Sequence, residues 1–201
     1  MQINESLRMF LGEHANDDVN ELILNSLRYK NIDVKFVAEQ ISARKIIKDK
    51  LTSWHENGDL IFPSALSAEQ CSSELTALYK QRLVNKEDIV CDMTGGLGVD
   101  AYYFSQKAHK VIYIERNTEY CKAAINNFQS LNAANIEVLN KDSIQIFQLH
   151  SLYSFPPEIS IQNPVLYIDP SRRGNGNKRL YALKDCEPDL TEIWSDLQQI
   201  G

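Results

Sequence analysis

Cysteine and histidine are scarce in this sequence and widely spaced. There are four of each, and neither type shows the close spacing of zinc ligands or of a disulfide framework. We therefore predict free thiols and no metal site. The sequence also has no run of about 20 apolar residues, and its first residues lack the charged and apolar regions of a signal peptide. These absences predict a cytoplasmic enzyme without a membrane span.

Positive charge is also in the minority. The net charge is −6, which argues against a protein that binds nucleic acid over its whole surface. Residues 28–50 nevertheless contain seven basic and three acidic side chains, and residues 171–184 contain five basic side chains and no acidic one. Such local patches indicate a confined polyanion site, so we expect Arg44, Lys45 and Lys48 to contact RNA phosphates. A solvated helix face is an equally good interpretation of this first patch.

The N-terminal part of the chain has the apolar spacing of helices and no strand signal. This spacing predicts helices over 3–11, 19–27 and 33–54, with Asn16 and Asp33 as N-caps. We interpret residues 1–62 as a small all-helical domain.

A further helix is predicted from Ser67 to Val84. Ser67 and Gln70 fit a capping box at its start. One face of this helix carries Ser72, Ser73 and Thr76, a polar strip that either lines a site or simply faces solvent.

Strands and helices alternate from residue 88 onward. The predicted strands are 88–92, 110–114, 136–139 and 164–168, and the predicted helices between them are 99–107, 118–131 and 143–149. This order is typical of a parallel, Rossmann-like α/β sheet.

The first of these strands runs into a glycine turn that opens a helix. Asp92 ends the strand, and Gly95, Gly96 and Gly98 follow it. Glycines allow positive φ angles and a close approach between backbone and ligand. The next strand ends at Glu115, where an acid can accept hydrogen bonds from both hydroxyls of a ribose. Together these features predict a site for a nucleoside cofactor.

The charge at the turn helps to choose the cofactor. The glycine spacing also fits a loose dinucleotide pattern, but an acid at Asp92 would repel a pyrophosphate there. A carboxylate at this point suits a cationic ligand such as S-adenosylmethionine. A purely structural turn is the remaining alternative.

A second polar group follows the strand 164–168, at the sheet edge where ligands bind in open α/β folds. It consists of Asp169, Pro170, Ser171, Arg172 and Arg173. We predict that Asp169 orients an acceptor amine and that carbonyls near Pro170 accept its second N–H. Either arginine could hold a phosphate or a guanine edge. The alternative is a structural turn with surface arginines.

These motifs resemble those of known families. The glycine turn followed by a strand ending in Glu115 resembles class I methyltransferases. Asp169-Pro170-Ser171 and the basic run after it are similar to the bacterial small-subunit rRNA guanine-N2 methyltransferase, and the helix of residues 70–79 looks like that of trimethylguanosine synthases. As a whole the chain resembles bacterial methyltransferase-like proteins with an N-terminal helical domain and a C-terminal, RNA-binding THUMP-like domain.

The resemblance implies roles for further residues. An acid at Asp142 would accept the amine of adenine, although it would equally serve as an N-cap. The implied cofactor-binding set is Asp92, Thr94, Gly95, Gly96, Gly98, Glu115, Arg116, Asp142 and Ser143. The implied catalytic set is Asp169, Pro170, Ser171 and Arg172. Ser171-Arg172 departs from the usual Pro-aromatic pair, so Tyr102 or Tyr181 would have to stack on the target base.

The leading hypothesis is an S-adenosylmethionine-dependent methyltransferase that acts on an exocyclic base amine in ribosomal or transfer RNA. Because such a sheet has about seven strands and four are predicted, residues 63–201 would form an incomplete methyltransferase core. A nicotinamide-dependent (NAD) oxidoreductase and a non-catalytic RNA-binding protein are the alternatives.

Overall fold

The computed structural model describes residues 3–150, 165–171 and 182–194. The α-helices are α1 (Glu5–Glu13), α2 (Val19–Leu24), α3 (Val34–Ile47), α4 (Thr52–Glu56), α5 (Ala65–Gln70), α6 (Glu74–Lys80), α7 (Val99–Ser105), α8 (Thr118–Ser130) and α9 (Ser143–His150). The strands are β1 (Ile89–Asp92), β2 (Lys110–Ile114), β3 (Ile136–Leu139) and β4 (Val165–Tyr167). Short 3₁₀ turns cover Ser26–Arg28, Gln81–Leu83 and Leu183–Asp185.

The described strands form one parallel sheet in the order β3-β2-β1-β4. Val90 on β1 lies opposite Val111 on β2 and Val165 on β4. The predicted parallel α/β fold is therefore confirmed. The chain runs from β1 to β2 and β3 on one side of β1 and then crosses to β4 on the other side, so the strand order reverses at β1. Such a switch point is where open α/β sheets bind ligands, at the carboxyl ends of the strands.

The N-terminal helices are confirmed, but one of them is interrupted. Asp33 caps α3 by accepting a hydrogen bond of 3.0 Å from the Phe36 N–H. The helix predicted over 33–54 stops at Ile47, where the N–H groups of Lys50 and Leu51 both donate to the Ile47 carbonyl. This tight turn places Leu51 in the core, fully buried, and the chain restarts as α4.

The N-cap predicted at Asn16 is wrong. The carboxylate of Asp18 caps α2 instead, because it accepts hydrogen bonds from the Asn20 and Glu21 N–H groups at 2.7 and 3.2 Å. Asn16 and Asp18 are both residue types that cap helices, and they differ only in the position at which the helix would begin. The local sequence does not distinguish between them.

The helix predicted from Ser67 is also two helices. Ser64 begins α5 by accepting the Ser67 N–H at 3.0 Å, so the predicted capping box starts three residues too late. Ser73 then caps α6 through the Thr76 N–H at 3.2 Å. Because the two helices are separate, Ser72, Ser73 and Thr76 do not form one strip on a single helix.

Arg44 stabilises the helical region from within, so the expectation that it contacts RNA phosphates is wrong. Its guanidinium donates at 2.8 to 3.3 Å to four backbone carbonyls, those of His55, Asn57, Gly58 and Leu60. The guanidinium carbon also lies 5.1 Å from the ring centroid of Phe62. Lys45 and Lys48 are exposed, and the Lys45 ammonium donates to the Asp17 carbonyl at 2.7 Å. Contact with RNA phosphates stays a prediction for these two residues.

One hydrophobic cluster joins the N-terminal helices to the α/β part of the chain. Trp54, which is fully buried, belongs to the same cluster as Leu97 and Tyr103. Buried Asn127 on α8 adds polar contacts, since its side-chain amide exchanges hydrogen bonds of 2.7 and 2.8 Å with the backbone of Ile61. The helical residues therefore pack directly against the glycine turn and α7. The division into domains at residue 62 stays a prediction.

Within the described ranges, no helix combines the length and the apolar character needed to cross a bilayer. The His, Cys, Asp and Glu side chains that the structure describes include no group of three that could hold a metal ion. All four cysteines are free thiols, as predicted.

Candidate functional site

A cavity of about 650 Å³ lies at the carboxyl edge of the sheet. Residues from the ends of β1, β2 and β3, from the segment after β4 and from the turn between α5 and α6 form its wall. They include Cys71, Ser72, Thr94, Gly95, Gly96, Gly98, Asp100, Glu115, Arg116, Asp142, Ser143, Asp169, Pro170 and Ser171. The structure thus brings the described members of both predicted residue sets to one cavity, all except Asp92, while Arg172 lies outside the described residues.

The glycine turn adopts a conformation that other residues would strain. Gly96 and Gly98 have φ angles of +55° and +86°, and the Gly98 N–H donates to the Gly95 carbonyl at 2.9 Å. At Gly95 the constraint is space, because a Cβ atom would lie 2.3 Å from the Tyr113 ring. The Tyr113 hydroxyl in turn donates to the Gly96 carbonyl at 2.6 Å. Tyr113 on β2 therefore packs against the glycine turn and stabilises it.

Glu115 connects the end of β2 to this turn. One carboxylate oxygen accepts the Gly96 N–H at 3.0 Å, and the other accepts the Asn117 N–H at 2.7 Å. Each oxygen has a further lone pair, and the side chain is partly exposed on the cavity wall. It can therefore still accept hydrogen bonds from a ligand such as a ribose.

Asp142 and Ser143 lie on the cavity wall where β3 leads into α9. The Asp142 carboxylate accepts the Ile144 N–H at 2.9 Å, as an N-cap does. The contact of Asp142 with adenine stays a prediction. Nearby, Arg116 forms an exposed ion pair of 2.6 Å with Glu187.

Asp92 lies behind the cavity wall. The side chain is 1 % exposed, it accepts the Thr94 N–H at 3.1 Å, and it is not among the residues that line the cavity. Burial, followed by the nearby charge of Asp100, raises the pKa of Asp92 to about 8. The electrostatic argument that favoured a cationic ligand therefore cannot depend on Asp92.

Other acidic residues on the cavity wall provide negative charge that favours a cationic ligand. The cavity wall carries the basic residues Arg116 and Lys141 and the acidic residues Glu69, Asp100, Glu115, Asp142, Asp169 and Glu187. A surface with this excess of carboxylates attracts cations and repels a pyrophosphate. Among the described residues the wall is therefore acidic, through carboxylates other than Asp92.

The predicted acceptor group lies across the cavity from Glu115, on the segment after β4. Asp169 is exposed, and its backbone N–H donates to the Thr94 hydroxyl oxygen at 2.8 Å. Pro170 and Ser171 also line the cavity. The backbone of Ser171 pairs with that of Glu187. Arg172, Arg173 and Tyr181 lie outside the described residues.

Tyr102 is not positioned to stack on a base. Its ring packs edge-on against Trp54 and Tyr103, with centroid distances of 5.9 and 5.2 Å, and it does not line the cavity. The helical turn that follows Gly98 points this side chain toward the N-terminal helices. The suggestion of Tyr102 as a stacking residue is therefore wrong.

Three functional candidates were missed by the sequence analysis. Lys80, Asp100 and Tyr167 form a hydrogen-bonded cluster with Asp169 beside the cavity. Tyr167 has a weak signal, because it precedes Asp169 by two residues on the same strand face. Asp100 stands in the first turn of α7. Lys80 carries no signal in the local sequence.

The polar strip has a single member at the site. The Ser72 hydroxyl donates to Asp100 at 2.9 Å and accepts from Lys80 at 3.0 Å. Ser73 and Thr76 bond to each other at the start of α6. The interpretation of the strip as part of a site is thus correct for Ser72 and wrong for the other two.

Comparison with known proteins bears on the fold. No protein-family model matches the chain, and no curated protein matches it. Two solved structures that match are putative methyltransferases. The one from Porphyromonas gingivalis W83 has a TM-score of 0.70 and 30% sequence identity, over 100% of this chain and 48% of that protein. The one from Streptococcus mutans, in complex with SAH, has a TM-score of 0.43 and 16% identity, over 64% and 65% of the two chains.

The fold is that of class I methyltransferases. This conclusion depends on the P. gingivalis structure together with the strand order and the glycine turn described above. S-adenosylmethionine is the cofactor that this fold indicates. The chain spans about half the length of the P. gingivalis protein.

Proposed function

We propose that this chain is an S-adenosylmethionine-dependent methyltransferase that methylates an exocyclic base amine in ribosomal or transfer RNA. The observation that carries the proposal is the cavity itself. A wall rich in carboxylates contains Glu115, which accepts the Gly96 N–H of the glycine turn, and Asp169, which follows β4. One cavity thus offers a ribose acceptor and an amine acceptor.

The residues present suit the cofactor chemically. When bound, S-adenosylmethionine supplies a methyl group on a positively charged sulfur, and its amino group carries a second positive charge. The acids of the wall favour both charges. Glu115 would hold the ribose, Asp142 and Ser143 the adenine, and the turn from Gly95 to Gly98 would let the ligand approach the backbone closely.

Asp169 would position the acceptor. A carboxylate that accepts one N–H of an amine limits its rotation and directs the nitrogen lone pair into the cavity. The bound cofactor would supply the methyl group for a new C–N bond and would keep the electron pair of the broken S–CH₃ bond. The nitrogen would lose one proton to solvent, which reaches the exposed side chain of Asp169.

RNA as substrate is supported by the basic segment of residues 28–50. Four of its side chains are exposed and have no role in the helical core, namely Arg28, Lys30, Lys35 and Lys48. Exposed cations of this kind bind phosphates without reading sequence. The resemblance of the segment from Asp169 to Ser171 to guanine-N2 enzymes supports a base amine as the acceptor.

Calorimetric titration with S-adenosylmethionine tests the cofactor site. Glu115→Ala should weaken binding by about 10- to 100-fold, because a charged acceptor contributes about 1.5–3 kcal/mol. Glu119→Ala is the matched control, since this acid lies on the surface of α8 and pairs with Lys122. Equal affinities for the two variants would place the ribose elsewhere. Tighter binding of NAD than of S-adenosylmethionine would favour the oxidoreductase.

Transfer of a labelled methyl group to unmodified transcripts of ribosomal and transfer RNA tests the reaction. Asp169→Ala should abolish transfer and leave cofactor affinity nearly unchanged, because Asp169 would contact the acceptor and not the adenosyl group. Transfer at the wild-type rate by this variant would show that another group orients the amine. Binding of RNA without any transfer by the wild-type protein would favour the non-catalytic alternative.

A further inference from the structure

Lys80 lies at the centre of a polar cluster beside the cavity. It ends α6, in the helical region that precedes the sheet, and its ammonium contacts two carboxylates. The distances from Nζ are 2.9 Å to Asp169 Oδ2 and 3.0 Å to Asp100 Oδ2. The hydroxyls of Ser72 and Tyr167 also lie within hydrogen-bond distance of Nζ, so four acceptors share the three N–H groups of the ammonium. Only 18 % of the Lys80 side chain is exposed, which is little for a lysine.

The cluster is built from parts that are themselves held in place. The Tyr167 hydroxyl donates to Asp100 Oδ2 at 2.9 Å, so its lone pairs face the ammonium. The Tyr167 ring packs edge-on against Phe104, with centroids 4.9 Å apart. Asp100 is fixed by the first turn of α7. The ammonium therefore has one well-defined position.

The donors that the structure describes reach only one oxygen of the Asp169 carboxylate. Oδ2 receives Lys80, whereas Oδ1 receives no donor from the residues that the structure describes. The side chain is 53 % exposed and lines the cavity. The backbone N–H is anchored to Thr94. Asp169 is thus fixed by its backbone and by one oxygen, and among the described residues no donor reaches the second oxygen.

The charge of Lys80 persists at neutral pH. Burial alone would lower the pKa of Lys80, but the hydrogen bonds and charges of Asp169 and Asp100 outweigh burial, and the pKa lies above its ordinary value. Lys80 is therefore a permanent donor and cannot act as a base in the transfer.

We propose that Lys80 is a positioning residue, which holds Oδ2 of Asp169 so that Oδ1 is presented to the acceptor amine. This inference rests on the proposed function, in which Asp169 receives that amine. It adds that a residue of the helical region controls the acceptor side of the site. Lys80 itself contacts neither cofactor nor acceptor.

The test compares Lys80→Met with Lys80→Arg, using labelled methyl transfer to unmodified ribosomal and transfer RNA transcripts. Lys80→Met should lower kcat at least tenfold and leave the Kd for S-adenosylmethionine within about twofold, because only the acceptor side loses its support. Lys80→Arg keeps the charge and should recover part of kcat. Lys110→Met is the matched control, since it breaks a lysine pair with Glu137 at the opposite edge of the sheet.

The outcomes separate the inference from the proposed function. Unchanged kcat in Lys80→Met, or an equal loss of cofactor affinity, would overturn the inference and leave the proposed function in place. Absence of transfer by the wild-type protein would overturn both. If Lys80→Met does not fold, Lys80→Gln gives the same test, because it removes the charge and shortens the side chain but keeps a polar group in the cluster. A wild-type kcat in Lys80→Gln would then overturn the inference.

Discussion

Alanine at position 98 is the most direct test of the glycine turn. Gly98 precedes α7 in a left-handed conformation, with φ at +86°. A Cβ atom built there would lie 2.8 Å from Cζ and 3.1 Å from Cε1 of the Phe128 ring. Phe128 is buried, so the ring has little room to move away. Gly98→Ala should therefore destabilise the fold through both backbone strain and crowding.

The two effects have separate magnitudes. A left-handed conformation costs a non-glycine residue about 1–2 kcal/mol, and overpacking a buried ring costs about 1–3 kcal/mol. Together they should lower the free energy of unfolding by about 2–5 kcal/mol. For a chain of this size each kcal/mol corresponds to about 2–4 °C in Tm. The turn also lines the cavity, so affinity for S-adenosylmethionine should fall as well.

Urea denaturation and calorimetric titration would measure these changes. Gly12→Ala is the matched control, because Gly12 lies in α1 and a Cβ atom there would meet no atom within 4 Å. That substitution should stabilise the chain by about 0.5–1 kcal/mol, since alanine favours helix over glycine. If Gly98→Ala were as stable as the wild-type protein, the argument from backbone conformation and contact would be refuted.

Two further predictions concern buried charge. The pKa of Asp92 is raised to about 8 by burial, so the folded state retains a proton that the unfolded state loses near pH 4. The contribution of Asp92 to the free energy of unfolding is therefore present at low pH and should decline between about pH 4 and 8, by at most about 1.4 kcal/mol per pH unit. Urea titrations at several pH values should show a weaker pH dependence of this free energy in Asp92→Asn than in the wild-type protein. The same pH dependence in both proteins would contradict the prediction. Arg44→Gln should lower the free energy of unfolding by about 2 kcal/mol or more, because four backbone carbonyls lose a charged donor. Lys48 is exposed, so the control Lys48→Gln should change this free energy by less than about 0.5 kcal/mol. Equal effects of the two substitutions would mean that the Arg44 contacts contribute nothing to stability.

Some elements of the fold were predictable because their signals are local. The four strands from β1 to β4 are short apolar runs separated by helical periodicity, and their order along the chain implies a parallel sheet. Glu115 and Asp169 directly follow β2 and β4 or lie within two residues of them. Residues in such positions must emerge at the carboxyl edge, whatever the rest of the chain does.

Other predictions failed where two residues compete for one local role. Ser64 and Ser67 are both good N-caps, as are Asn16 and Asp18. Helical periodicity continues through residues 48–51, although the helix does not. In each case the choice depends on which side chains the core can bury, and burial is a property of the assembled helices.

Residues that act through distant partners could not be predicted from the sequence. Lys80 meets Asp169 across a separation of 89 residues, and Arg44 finds its acceptors in the turn after α4. In the sequence both are ordinary basic residues on helices. A local pattern shows how charged residues are spaced along the chain. It does not show which carbonyl or carboxylate groups those residues contact in the folded protein.

The sequence by itself determined the order of strands and helices, the glycine turn and the two acids that follow β2 and β4, since each depends on a few neighbouring residues. Only the tertiary structure decided that Asp92 is buried, that Tyr102 packs inward, and that Lys80 contacts Asp169. The physical reason is that burial and long-range hydrogen bonds arise when elements pack against each other. The chemistry of the cavity depends on those contacts as much as on the motifs.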